Sequence, residues 1–107
     1  MSGWTATLLP EAAVELGAMA ADIRARFGRM VGLIETHGLE KVREPHVRHL
    51  KGSLWEMRMT GWDGIARAIY VTATTRRVVV VRVFSKKTQK TPARELRFAE
   101  RRAEEVV

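Results

Sequence analysis

Residues 78–94 read VVVVRVFSKKTQKTPAR, and five cations (Arg82, Lys86, Lys87, Lys90 and Arg94) fall among them with no acid. A buried strand running into such a loop would hold dense positive charge in a fixed place, which suits a polyanion. Upstream, Glu56 and Arg58 stand two apart in an alternating stretch, so they share a face. An arginine there can grip a phosphate with its planar fork. A carboxylate among cations has a lowered pKa, which makes it a poorer base and a better orienter. Arg67 lies three residues before Tyr70, and Arg82 sits between Val81 and Val83. A charge inside an apolar strand is costly unless it is paired or faces a solvated concave surface. Histidine as a residue type suits acid/base work near neutral pH, but His46 and His49 read as ordinary polar loop residues, and His37 as a helix-end residue. These residue types fit binding of a polyanion; whether they also cut it is a separate question.

The acids are scattered and no close His/Asp/Glu set stands out, so no metal and no cofactor are expected. The chain has no cysteine, which excludes disulfides and thiolate chemistry. The formal net charge of +7 is uneven. Residues 1–40 carry three arginines against five acids, a net of −2, whereas residues 41–107 carry sixteen cations against seven acids, a net of +9. That asymmetry puts a basic working face on the C-terminal part, suited to nucleic acid, an acidic protein or both. No apolar run approaches the roughly 18 residues needed to span a membrane. No basic region precedes an apolar stretch at the N-terminus, so no secretory signal is expected.

The elements that must position these residues follow from periodicity. A length of 107 residues closes one core, so residues 1–107 are expected to form one domain. Trp4–Leu9 alternates loosely as a short edge strand, and Pro10 opens a short helix to about Leu16. Ile23, Phe27, Met30, Val31 and Ile34 form the buried stripe of a helix from about Ala20 to Thr36. Residues 39–53 read as a polar connection. Strands are expected at Leu54–Thr60, with Trp55 in the core, at Ile65–Thr72, and at Val78–Phe84, which is hydrophobic enough to be central. Gly61-Trp62-Asp63-Gly64 is a turn, and Trp62 is exposed in it. Thr91 as N-cap and Pro92 at the first position start a last helix. The order gives an α+β domain: a small curved antiparallel sheet of about four strands, packed by an N-terminal helical hairpin and a C-terminal helix.

Three segments then carry a family likeness. His49-Leu50-Lys51-Gly52-Ser53-Leu54-Trp55-Glu56-Met57-Arg58 looks like the strand entry K-x-L-x-G-x-L-[YW]-E-L-R. Arg67-Ala68-Ile69-Tyr70 looks like R-x-x-Y. Phe84-Ser85-Lys86-Lys87-Thr88-Gln89-Lys90-Thr91-Pro92, followed by Glu95 and Ala99, is nearly F-x-K-K-T-x-K-T-P-x-x-E-[IL]-x-x-A. In order and spacing the chain resembles the RelE/ParE superfamily of type II toxins, in its HigB-like, phage-derived branch. Only the third segment is specific by itself.

The resemblance implies a RelE-like fold and a bacterial, cytoplasmic toxin that cleaves messenger RNA, usually on the ribosome. Cleavage without metal requires the 2′-OH deprotonated, the phosphate held in line, the transition-state charge stabilised and the leaving 5′-oxygen protonated. On that basis Arg58, Arg67, Glu56 and Lys87 are the expected catalytic residues. Arg82, Lys86, Lys90, Lys51, Tyr70 and Arg94 are the expected RNA contacts. The implied partner is a helix-turn-helix antitoxin encoded next door, with operator DNA reached only through that complex and no membrane involved. Two other readings stay open: a ParE-like inhibitor of DNA gyrase, and a basic binding module without catalysis.

Overall fold

The computed structural model describes residues 2–42, 47–86 and 90–106, with Lys86 by its backbone alone. The elements run β1 (Thr5–Leu8), α1 (Pro10–Gly17), α2 (Ala21–His37), β2 (Val47–Lys51), β3 (Leu54–Thr60), β4 (Ile65–Ala73), β5 (Arg77–Lys86) and α3 (Ala93–Ala103). The five strands form one sheet in the order β1-β5-β4-β3-β2. The α+β architecture and the helix positions agree with the sequence reading to within a residue or two.

Three features of the sheet correct the sequence expectation. First, part of the supposed polar connection is a strand: β2 pairs with β3 through the two-residue turn Gly52-Ser53. Gly52 has φ 55°, a conformation that favours glycine. Second, β1 runs parallel to β5, so the sheet is mixed. Third, the central strand is β4 rather than β5.

The helices divide the sheet. α2 buries Ile23, Phe27, Met30 and Ile34 against Met57, Met59, Ala66, Ala68, Tyr70, Val78 and Val80. Each such side chain contributes about 1.5–3 kcal/mol of transfer free energy. On the opposite face, Ala99 and Leu96 of α3 pack on Leu54, Ile69, Val71, Val79, Val81 and Phe84. A bulge sets how β5 meets these layers. Ile69 pairs with Arg82 but Tyr70 pairs with Val80, so Val81 is the extra residue. Val78 and Val80 face α2; after the bulge Val83 does so, and Arg82 turns to the α3 side.

α1 closes the edge of β5 where β1 ends. The Leu9 N–H donates to Val80 O. Beyond it, the Val83 N–H donates to Glu15 Oε1 at 3.0 Å, and Arg102 Nη1 donates to Val81 O at 2.9 Å. Side chains therefore complete the backbone hydrogen bonding of a strand that has lost its neighbour.

Candidate functional site: an arginine pair on the open half of the sheet

The β3–β4 register sets Arg58 directly opposite Arg67. Both lie on the α3 side of the sheet, two residues along from Glu56 and Ile69. Like charges directly opposite on neighbouring strands destabilise a sheet, so this pair is not explained by stability.

Arg67 is buried, with 3% of its surface exposed. Its Nη1 donates to Glu56 Oε1 at 2.8 Å. Burial pulls the guanidinium below its usual pKa; Glu56 opposes that, while Arg58 and Arg48 add to it. Arg58 is half-buried and has no hydrogen-bond or ion-pair partner among the described residues. The Nε atoms of Arg58 and Arg67 are both buried without a hydrogen-bond partner. A third such atom, Arg26 Nε, belongs to α2 on the far side of the sheet. Buried donors are nearly always satisfied, so two orphans on residues in direct register set this pair apart.

Glu56 anchors the site. Only 1% of it is exposed. Its Oε1 accepts from Arg67 and, at 3.5 Å, from Arg48 Nη2 on β2; its Oε2 accepts from the Thr91 hydroxyl at 2.7 Å. With both oxygens engaged and no solvent access, it can position a neighbour but has no free lone pair facing outward to take a proton. The expectation that it orients Arg58 is corrected: it holds Arg67. Thr91 is corrected too. It makes no cap for α3, whose N-cap is Pro92, and donates its hydroxyl to Glu56 instead.

Sequence reasoning missed Arg48 and Thr91 as members of this cluster. The Gly-Ser hairpin signal after Lys51 was available to reveal β2, and with it Arg48. Arg48, His49, Leu50, Lys90, Thr91 and Leu96 line an open groove of about 450 Å³ beside the cluster. Lys90 is exposed there, and Arg94 is exposed in the first turn of α3. The backbone of Lys86 pairs with Ile65 at the Arg58 end of the sheet. Lys87 and His46 lie outside the described residues.

Three expected RNA contacts are elsewhere. Tyr70 is 1% exposed and packs in the α2-side core. A separation of three from Arg67 puts the two on opposite faces, and burial pushes the Tyr70 phenol above its ordinary range. Lys51 is exposed at the end of β2 and pairs with Glu100 at 3.4 Å. Arg82 is enclosed in an ion cluster: its Nε donates to Glu95 Oε1 at 2.6 Å and its Nη2 to Glu95 Oε2 at 3.1 Å. It also pairs with Glu15, which in turn pairs with Arg102 at 2.9 Å. The ring of Phe98 lies 5.2 Å from the Arg82 guanidinium. The hydrogen bonds that Arg82 donates to Glu95 raise its pKa against the effect of burial, and Glu15 adds to this. For Glu15, burial alone would raise the carboxyl; bonds from Arg102, the Val83 N–H and Arg82 outweigh it and hold the pKa below its ordinary range. Trp55, expected in the core, is 38% exposed and meets the His49 ring at 4.9 Å.

Among the described residues, no group of three His, Cys, Asp or Glu is placed to hold a metal ion, and no helix is long and apolar enough to cross a membrane.

The fold is that of a RelE-type α+β domain. The RelE of an archaeal RelE–RelB complex from Pyrococcus horikoshii OT3 superposes with a TM-score of 0.62 at 16% identity, over 78% of this chain and 94% of that one. A double arginine-to-alanine mutant of E. coli toxin RelE in the free state superposes with a TM-score of 0.58 at 14% identity, over 94% of this chain and 97% of that one. At such identities the likeness speaks for the fold alone. The sequence itself carries the family: residues 14–104 match the model described as phage derived protein Gp49-like. The chain belongs to that family and has the RelE/ParE toxin fold. No curated protein matches it.

Proposed function

We propose that this chain is the toxin of a toxin–antitoxin pair and cleaves messenger RNA, without a metal, on the translating ribosome. The observation that carries the reading is the Arg58–Arg67 pair: two like charges in direct register, each with a buried Nε left unpaired. A phosphate bound beside the pair would counter their repulsion. The RelE fold and the Gp49-like family add to it.

In the reaction, the 2′-oxygen bonds to the adjacent phosphorus and the bond to the 5′-oxygen breaks. The 2′-OH proton leaves to a base, and the leaving oxygen takes a proton. The products are a 2′,3′-cyclic phosphate and a 5′-hydroxyl. Arg67, held by Glu56, and Arg58 stabilise charge on the non-bridging oxygens; such preorganised donors are worth about 10²–10³ in rate each. Glu56 acts as a positioning residue. Lys86, Lys87, Lys90 and Arg94 supply phosphate contacts, and one of the lysines serves as the proton donor. The groove is open, so the ribosome supplies much of the alignment. A partner antitoxin masks the basic face, as the solved RelE–RelB complex suggests by analogy.

The test is protein stripped of metal by dialysis against chelator and then added to programmed ribosomes. The expected result is discrete cuts in the message with cyclic-phosphate and 5′-hydroxyl ends. Intact message, with trapped gyrase–DNA complexes in expressing cells, would contradict the reading.

A further inference from the structure

Trp62 sits at the tip of the β3–β4 hairpin with 92% of its surface exposed. A tryptophan is seldom left so open, because its large apolar area favours burial. Its backbone is nonetheless fixed. The Trp62 N–H donates to Asp22 Oδ2 on α2, and Asp22 Oδ1 accepts from the Ile23 N–H at 2.9 Å. The Gly61 N–H donates to Gly64 O at 2.8 Å across the turn. Gly61 itself is pressed against α2: a Cβ there would lie 2.6 Å from Ile23 Cδ1 and 2.9 Å from Asp22 Oδ2. The hairpin tip is thus clamped to the first turn of α2 while the indole is left outside.

The tip lies at the end of the sheet where Arg58, Arg67 and the Lys86 backbone lie. Four residues separate Arg58 from Trp62, which at strand spacing is at most about 14 Å. We infer that Trp62 is a stacking platform for a base of the single-stranded RNA whose phosphate lies on Arg58 and Arg67. This deepens the function proposed above and rests on it. Aromatic faces take bases of any identity, and the adjoining cations hold the backbone, the usual division of labour in single-strand recognition. Trp62 is then a positioning residue that sets where the strand stops, and cut-site preference depends on it. A protein partner seated on the indole is the competing occupant.

The experiment measures binding of a fluorescein-labelled single strand carrying 2′-O-methyl groups throughout, which cannot be cleaved by its own 2′-oxygen. Trp62→Ala is expected to weaken binding about 5- to 100-fold, with the slope of affinity against salt unchanged, because stacking releases no counterions. Trp62→Phe should restore most of the loss. An abasic strand should bind wild type and Trp62→Ala alike. Arg58→Ala should weaken binding and lower the salt slope by about one. Unaltered affinity in Trp62→Ala, with the Arg58→Ala effect intact, overturns the stacking and leaves the nuclease reading standing; Trp62 would then serve a protein partner. A wild-type chain that does not bind the strand at low salt also overturns the stacking, while the nuclease reading is decided separately by cuts on programmed ribosomes.

Discussion

Two arginine clusters share the α3 face of this sheet, and they are built on opposite principles. Around Arg82, two guanidiniums meet two carboxylates: Arg82 and Arg102 pair with Glu15 and Glu95, and the leftover carboxylate capacity takes a strand N–H. Around Arg67, Glu56 accepts from Arg67 and Arg48, while Arg58 has no ion-pair partner among the described residues. Arg58 faces Arg67 directly, and two Nε atoms go unpaired. The balanced cluster ties α1 and α3 to the open edge of β5, so it serves the fold. The other leaves Arg58 without a carboxylate among the described residues, which suits the phosphate contact proposed above. A buried arginine alone therefore says little; the carboxylate count around it says more.

That comparison breaks most visibly in stability. Arg82→Ala leaves Glu95 without the arginine that holds it and Glu15 with one arginine fewer, and urea unfolding should show a loss of about 3–5 kcal/mol. Cleavage per folded molecule should be unchanged. Arg58→Ala should do the reverse. Its cleavage rate should fall about 10²- to 10³-fold, while stability holds or rises by up to about 1 kcal/mol as the cross-strand repulsion goes. If Arg58→Ala unfolds the chain instead, Arg58 is architecture and the contrast fails.

Glu56→Gln sharpens the role of the anchor. It keeps the shape but removes the charge that holds Arg67, so stability should drop by about 1.5–3 kcal/mol and cleavage should fall with it. A base would behave differently: cleavage would vanish, stability would hold, and the acidic limb of the pH–rate profile would disappear. Thr91→Val removes one hydrogen bond to the same carboxylate and should cost about 1–2 kcal/mol, read in the same urea titration.

The smallest effect is on the balanced side. The Glu15 pKa is lowered in the fold from 4.5, so its contribution is present above that value and is lost as pH falls through the lower folded pKa. Wild-type stability should therefore fall more steeply below about pH 4.5 than that of Glu15→Gln, measured by urea midpoints across pH.

The helices, four of the five strands and the family motif were legible in the sequence, because stripes of period 3.6 and 2 are local signals. What could not be read locally was pairing. Strict alternation would send Arg82 to the side of Val78 and Val80; the bulge at Val81 turns it toward Glu95, and its second partner, Glu15, lies far away in sequence. β1 and β5 join in parallel across most of the chain, which no local pattern announces. Tyr70 looked like a site residue because it stands close to Arg67 in sequence, yet an odd spacing on a strand sends it to the other face. Thr91 before Pro92 carries a strong capping signal, but a buried carboxylate competes for the same hydroxyl and wins. Glu56, Arg58 and Arg67 were found because their type and alternation sufficed; which one Glu56 holds was settled by register, and register is tertiary.

The central claim is that the unbalanced cluster cuts RNA and the balanced one does not. RNA ends mapped in cells expressing wild type, Arg58→Ala or Arg82→Ala, each normalised to folded protein, test it most directly. The account predicts the same discrete cuts in translated messages for wild type and Arg82→Ala, and none for Arg58→Ala. Cuts that persist in Arg58→Ala, or that vanish equally in folded Arg82→Ala, would contradict it.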